Sequence, residues 1–362
     1  MNYKEIDWSR LNDRYARWWR GELETPLIYL ATWPDAAANL QPRPHEHTDV
    51  KKWFMDPEMR MRREHAAATH SWYYADGFPS LTLGRINIMQ AVYYDCPAHY
   101  AQETIWTEPI LKTWDDWEKR VHFDAANETW QMTLGQAKLA LELAGDDCAV
   151  TIIGGFEGAL DNTAAMRGVD HALFDMVEHP VEVLALERQF LEDFQHRYYG
   201  PLLNILKDNP CGVSLWDMVL MSDGPAHCIQ SDFSCMVSTD MFRDLGLWYV
   251  REQAKMFPHA AYHLDGANAL HHLPALLEIE ELDCIQFIYQ IPFGWSLIDA
   301  APTVRRILEA GKRAEVFAWN VDDIVPFLKL VPPQGLKLNA WVPDRMTGEK
   351  LSRDIRNLGY PA

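Results

Sequence analysis

Short apolar segments recur along the whole chain, and they constrain its fold more than any other feature of the sequence. Each has five to seven residues, the length of a buried β-strand. The eight segments are 26–32, 80–84, 149–153, 212–216, 260–264, 284–288, 313–318 and 336–340. Continuous apolar runs of this kind are typical of strands that are buried on both faces of a parallel sheet.

Helical patterns lie between most of these segments. Pro180 and Pro302 are each expected to begin a helix, Ser238 can cap another, and Gly311 suits a helix end. The stretch 321–330 also has a helical pattern. Strands that alternate with helices form parallel sheets, and eight units predict a closed (β/α)8 TIM barrel.

We expect one domain over residues 1–362, in which residues 1–25 form an N-terminal helical extension. The long stretches 35–79 and 85–148 exceed ordinary loops, so helices or a cap over the barrel are expected there. An open doubly wound sheet is the alternative fold. However, no Gly-x-Gly-x-x-Gly motif follows the first segment, where a dinucleotide-binding fold would carry it.

The charge balance restricts the partners. Lysine and arginine total 33 and aspartate and glutamate 52, so the net charge is −19. A strongly acidic surface repels nucleic acid and anionic membranes. The six cysteines form no Cys-x-x-Cys pair, the first residues lack an apolar signal segment, and no apolar run approaches a membrane span. We therefore expect a soluble, cytoplasmic protein that acts on a small molecule.

Polar residues follow the predicted strands at their C-terminal ends, where barrel enzymes build active sites. His263 and Asp265 lie two residues apart on one strand, so their side chains point to the same face. We interpret them, together with Asp232, as catalytic groups that reach one substrate or metal. The alternative is that Asp265 braces the turn before Gly266, His263 is a core residue, and Asp232 holds backbone amides.

Further residues near the strand ends are expected to contact the substrate. They are Arg85, Trp106, Trp216, Asp217, Tyr262, Gln286 and Asn320. Arg85 is placed to bind a carboxylate. Arg167 either binds an anionic ligand or forms a salt bridge at a helix end, and Trp106 is either a lid residue or part of the core.

Several of these segments resemble the uroporphyrinogen decarboxylase superfamily. The similarity covers 230–238 and the helix after it, 262–266 with His272-Leu273, 282–287, and 165–180. It extends over roughly residues 149–340, and the order and spacing of the segments carry it rather than one motif. The resemblance implies a (β/α)8 barrel, in agreement with the count of apolar segments.

The resemblance also implies one of two chemistries. Decarboxylases of this superfamily use no cofactor and carry paired arginines after the first strand, whereas 29–35 (YLATWPD) has none. Its methyltransferases move a methyl group between a corrinoid and a thiol, using zinc held by a His-x-Cys pair and a later cysteine. Here the pair corresponds to His263 and Asp265, and Asn339 and Trp341 stand near the last strand. The exchange implies a metal site of histidine and carboxylate rather than thiolate.

We therefore expect an enzyme that acts on a small polar metabolite by methyl transfer or demethylation, with a divalent metal such as zinc at His263 and Asp265. A corrinoid methyl donor and a corrinoid protein are the partners that this reaction implies, and a homodimer is expected. Cofactor-free decarboxylation is the first alternative and a non-catalytic metabolite-binding barrel the second. Glycoside hydrolysis by Asp232 and Asp265 would require two carboxyl groups about 5–9 Å apart.

Overall fold

The computed structural model describes residues 1–35, 49–84, 89–101, 105–152, 158, 160–215, 218–290 and 292–361. Thirteen strands lie within these residues. They are β1 (Leu27–Thr32), β2 (Tyr73–Ala75), β3 (Ser80–Thr82), β4 (Ala98–Tyr100), β5 (Ile105–Thr107), β6 (Ala149–Thr151), β7 (Val213–Leu215), β8 (Leu220–Met221), β9 (Ala226–Gln230), β10 (His259–Asp265), β11 (Cys284–Ile288), β12 (Arg313–Ala318) and β13 (Leu336–Val342).

Sixteen α-helices lie in the same part of the chain. They are α1 (Trp8–Trp19), α2 (Val50–Met55), α3 (Pro57–Thr69), α4 (Met89–Tyr93), α5 (Trp117–Arg120), α6 (Glu128–Ala144), α7 (Asp161–Arg167), α8 (Val169–Glu178), α9 (Pro180–Asp193), α10 (Gly200–Leu206), α11 (Thr239–Leu245), α12 (Leu247–Ala254), α13 (Leu273–Leu277), α14 (Leu297–Glu309), α15 (Ile324–Leu328) and α16 (Arg345–Arg356). Single turns of 3-10 helix include Asp232–Met236 after β9 and Ala267–His272 after β10. None of the helices described is both long and apolar enough to cross a membrane.

The strands form a mostly parallel central sheet. Seven strands are ordered β2-β1-β13-β12-β11-β10-β9, and all except β2 run parallel to their neighbours. A second sheet is ordered β3-β6-β7-β8, in which β3, β6 and β7 are parallel. The predicted α/β class with parallel strands is therefore confirmed. Strands β4 and β5 form a third, two-stranded sheet, and the hydrogen bonds among the described residues do not show one closed barrel.

All eight apolar segments form strands, but one further parallel strand escaped the sequence analysis. Strand β9 is buried throughout, although its sequence AHCIQ contains two polar residues. Its apolar pattern is too weak to recognise, because His227 and Gln230 are buried polar side chains rather than exposed ones. This strand positions the segment that carries Asp232.

The helix predicted to begin at Pro302 begins earlier. Ser296 accepts a hydrogen bond from the backbone N–H of Asp299, whose side chain accepts from the N–H of Ser296, and α14 starts between them at Leu297. This reciprocal cap satisfies the first N–H groups of the helix. Pro302 therefore lies inside the helix and not at its start. Gly311 follows the helix end with a positive φ of 83°, as predicted.

The N-terminal helix packs into the body of the protein. Trp18 and Trp19 are buried, and their indole N–H groups donate to the carbonyls of Leu336 and Met221. Arg14 of the same helix forms a buried ion pair with Asp76 at 2.6 Å. These contacts attach α1 to the strand segments of both sheets.

Candidate metal and substrate site

A row of polar side chains crosses the interior of the large sheet. Gln230, His263, Gln286, Glu315 and Lys337 occupy neighbouring strands β9 to β13, and each is in register with the next. All five are buried. Registered residues of parallel strands point to the same side, so these groups form one layer, here called the polar row. Burial of polar groups is unfavourable unless they form hydrogen bonds or bind a ligand or metal.

Within the polar row, His263 is oriented by Gln286. Nδ1 of the imidazole is hydrogen-bonded to Oε1 of the Gln286 amide. Because an amide oxygen only accepts, Nδ1 donates its proton in this bond, which fixes the orientation of the ring. The buried Nε2 of Gln286 has no hydrogen-bond partner among the residues described.

Asp232, His263 and Asp265 converge beside this row. One potential ligand atom from each lies within 4.8 Å of those from the other two. Asp265 is the last residue of β10 and shares a face with His263, while Asp232 lies just beyond the end of the neighbouring β9. His263 is buried, Asp265 half-buried and Asp232 exposed. One imidazole nitrogen and two carboxylates form a donor set that suits a divalent cation such as zinc. We call these three residues the triad.

Asp161, which the sequence analysis missed, holds Asp232 in position. Its carboxylate accepts hydrogen bonds from the backbone N–H groups of Asp232 (3.0 Å) and Phe233 (2.7 Å). Burial, together with the negative charge of Asp232, raises the pKa of Asp161 well above its ordinary value, although both N–H groups oppose this effect. Asp161 follows strand β6 only after a long connection, so the rule that points to strand ends does not identify it.

Aromatic side chains line a cavity of about 530 Å³ at the C-terminal ends of the strands. Tyr29, Phe317 and Trp341 come from β1, β12 and β13, and Trp33 and Trp319 follow the first two of these strands. The indoles of Trp33 and Trp341 are stacked, with centroids 5.2 Å apart, and the rings of Phe317 and Trp319 lie 4.6 Å apart. We call this space the aromatic cavity.

One residue of the aromatic cavity lies on the strand next to the triad. Ile288 lines the cavity and is the registered partner of Asp265 on the adjacent strand. Neighbouring strands lie about 4.8 Å apart. His263 and Gln286, two residues earlier on the same strands, are in side-chain contact, which shows that this face of both strands is shared. Asp265 of the triad and Ile288 of the cavity lining therefore lie side by side on this face.

Two arginines of helix α3 form part of the cavity wall, and neither was singled out from the sequence. Arg60 donates to the carbonyl of Gly84 at 2.9 Å and pairs with Glu64 at 3.3 Å. The guanidinium of Arg63 lies 3.6 Å from the ring centroid of Trp53 and donates to its carbonyl. Both arginines are buried. Their helix lies within 35–79, where the sequence predicted helices or a cap but no substrate contact.

A second, more apolar cavity of about 510 Å³ lies on another side of Asp232. Asp161 and Asp232 are the acidic members of its described lining, and Trp106, Val169 and Met236 are exposed members. The sequence left Trp106 as either a lid residue or part of the core. The structure places it on the surface strand β5, half-exposed, at this cavity. We call this space the apolar cavity.

Tyr262 and Asn320, the other predicted contact residues that the structure describes, are not part of the triad. Tyr262 alternates with His263 and lies buried on the other face of β10, where burial raises the pKa of its phenol. Asn320 is exposed and accepts a hydrogen bond from the backbone N–H of Asp322. Arg167 forms the salt bridge considered above, a buried pair with Asp175 at 2.5 Å. The predictions for Arg85, Trp216 and Asp217 fall outside the residues described.

Comparison with known proteins assigns no family to the chain. No family model matches it, and no curated protein matches it either.

Proposed function

We propose that the protein is a metal-dependent enzyme that transfers a methyl group to or from a small metabolite at Asp232, His263 and Asp265. The convergence of their three ligand atoms within 4.8 Å carries this proposal. His263 and Asp265 are neighbours on one face of β10, whereas Asp232 is brought to them from the segment after β9. The two carboxylates are thus held close together although like charges repel each other. A divalent cation would remove that repulsion.

The residues present fit such an ion. Gln286 holds the imidazole of His263 through Nδ1, which is the arrangement that orients metal-binding histidines. Asp161 fixes the backbone of Asp232 through two N–H groups, so the exposed carboxylate is held next to the other two. A bound divalent cation would supply Lewis acidity, lowering the pKa of a coordinated thiol or hydroxyl acceptor.

Two separate cavities support transfer between two reactants. Asp232 lines the apolar cavity, and Ile288, the strand partner of Asp265, lines the aromatic cavity. We assign one to the metabolite and the other to the second reactant. A methyl donor such as a corrinoid, brought by a corrinoid protein, remains our preferred second reactant.

We also propose that the two sheets close into the (β/α)8 barrel of the uroporphyrinogen decarboxylase superfamily. Residues of both sheets line the aromatic cavity, among them Ser80 and Thr151 opposite Phe317. In addition, Lys337 and Asn339 of β13 both donate to the carbonyl of Met218, which lies between β7 and β8. These contacts indicate one shared interior.

Elemental analysis of purified protein after incubation with zinc and desalting tests the metal site. We expect close to one zinc per chain in the wild type and a loss of at least tenfold in affinity for His263→Ala. His271→Ala is the matched control, because His271 is exposed and contacts only backbone carbonyls in the bonds described. Failure of the wild type to bind zinc, manganese or cobalt would exclude metal-dependent transfer.

Cofactor-free decarboxylation is a second candidate, favoured by the buried Arg60 and Arg63 in the wall of the aromatic cavity. In this reaction the arginines would hold one carboxylate of the substrate, and Asp232 or His263 would protonate the carbanion left after release of CO2. Its distinguishing result is turnover that persists in the presence of a metal chelator.

A further inference from the structure

The charge of the aromatic cavity differs in sign from that of the whole protein. The chain carries −19, whereas the ionised side chains in the described cavity lining are two arginines, Arg60 and Arg63, and one carboxylate, Glu64. The lining therefore contributes a net charge of +1. Walls of low dielectric strengthen this local field relative to the more distant surface carboxylates, which solvent screens. The side of the cavity formed by helix α3 thus attracts an anion, whereas the carboxylates of the triad lie outside the lining.

The two guanidinium groups are held in fixed positions before any ligand arrives. Arg60 is anchored by the carbonyl of Gly84 and by Glu64, and Arg63 is stacked over Trp53. A planar guanidinium held in this way can bind a carboxylate without losing much side-chain freedom. Since Glu64 offsets one positive charge, the cavity suits a single negative charge better than several.

The rim of the same cavity exposes large aromatic surfaces. Trp33 is 60% exposed and Trp319 58% exposed, and both rings continue into aromatic neighbours, Trp341 and Phe317. Exposed indoles that border a concave site gain stability when a ligand removes them from water. The exposed flat faces of these indoles favour a planar ligand, because aromatic rings interact best in offset stacks or edge to face. The cavity volume of about 530 Å³ accommodates a ligand of one or two rings.

We propose that the aromatic cavity binds an aromatic acid, that is, a planar ring that carries one carboxylate. The carboxylate lies toward Arg63 and the ring lies among Trp33, Trp319 and Trp341. A substituent on the far side of the ring then faces the triad past Ile288. As a substrate assignment, this inference rests on the proposed function, since the triad would be the reacting centre. The binding itself requires no metal.

The experiment measures binding of benzoate by quenching of tryptophan fluorescence, with benzamide and cyclohexanecarboxylate as matched probes. We expect both analogues to bind at least tenfold more weakly than benzoate, because one lacks the charge and the other the planar ring. Arg63→Gln should weaken the binding of benzoate at least tenfold and leave the binding of benzamide unchanged. Arg62→Gln is the control, since Arg62 lies on the same helix, is 63% exposed and pairs with Glu58.

A second variant addresses the risk that Arg63→Gln does not fold. Trp319→Ala removes an exposed ring and should weaken benzoate and benzamide equally. Equal binding of benzoate and benzamide by the wild type would overturn the inference, as would equal losses in Arg62→Gln and Arg63→Gln. Zinc content is measured on the same samples. If the protein binds benzoate but not zinc, the assignment of the aromatic cavity stands and the metal site is refuted. If it binds zinc but not benzoate, the metal site stands and the assignment of the cavity is refuted.

Discussion

Glu187 is a buried carboxyl group whose ionisation should make the stability of the protein depend on pH. It lies on helix α9, accepts a hydrogen bond from the hydroxyl of Thr163, and its Oε2 has no partner among the residues described. Burial raises its pKa from 4.5 to about 7, although the Thr163 hydroxyl and the backbone N–H groups of Leu160 and Thr163 oppose the rise. The unfolded chain ionises this group near its ordinary pKa.

The sign and size of the effect follow from proton linkage. Between pH 4.5 and 7 the folded protein retains a proton that the unfolded chain has released, so stability decreases as the pH rises through this range. Each pH unit of separation between the two pKa values is worth 1.36 kcal/mol, so the full loss above pH 7 is about 3 kcal/mol. Below pH 4.5 the group contributes no penalty, because both states are protonated.

Glu187→Gln removes this titration while keeping the size of the side chain. We expect the variant to match the wild type in free energy of unfolding near pH 4.5 and to exceed it by up to about 3 kcal/mol at pH 8. Urea unfolding at the two pH values measures the difference in free energy of unfolding between the two proteins. The contributions of all other titrating groups cancel in this difference. Glu182→Gln on the same helix is the control, since Glu182 is partly exposed beside His179. A Glu187→Gln effect that is equal at both pH values would refute the reasoning.

Two further variants test the polar row. Gln286→Leu should weaken zinc binding by about 10- to 100-fold in a dialysis titration, because His263 loses the group that orients it, whereas unchanged affinity would remove Gln286 from the site. Lys337→Met should lower the free energy of unfolding, measured in urea, by about 3 kcal/mol, because the adjacent buried Glu315 loses a neighbouring positive charge. The double variant Lys337→Met/Glu315→Gln should recover part of this loss. No recovery in the double variant would show that the two groups do not interact.

The sequence predicted the strand scaffold well because burial on both faces leaves a readable signal. Each apolar segment became a strand, and 284–288 and 313–318 have the predicted bounds. Strand β9 was missed for the opposite reason, since its buried His227 and Gln230 break the apolar pattern. The prediction that a helix begins at Pro302 was wrong, because the preference of proline for the first helical turn is weaker than the reciprocal cap between Ser296 and Asp299.

The candidate site also contains residues that the sequence could indicate and residues that it could not. His263 and Asp265 could be grouped from the sequence because they share one face at the end of a predicted strand. Asp232 was named from a segment between two predicted strands, and its position beside them depends on β9, which the sequence analysis missed. Asp161, Arg60 and Arg63 could not be grouped from the sequence, because they belong to helices. A helix contributes residues to a site according to how it packs on the sheet, and that packing depends on long-range contacts that no local pattern records.

The polar row explains why the site lies where it does. Side chains alternate along a strand, so a strand that carries a polar residue in the buried layer also directs the residue two positions later to the same face. On β10 these residues are His263 and Asp265, and on β11 they are Gln286 and Ile288. The inner member of each pair is buried and fixed by its neighbour, whereas the outer member reaches the cavity or the triad. The buried layer therefore supports the residues of the triad, and we expect substitutions in it to alter metal affinity before they alter the walls of the aromatic cavity.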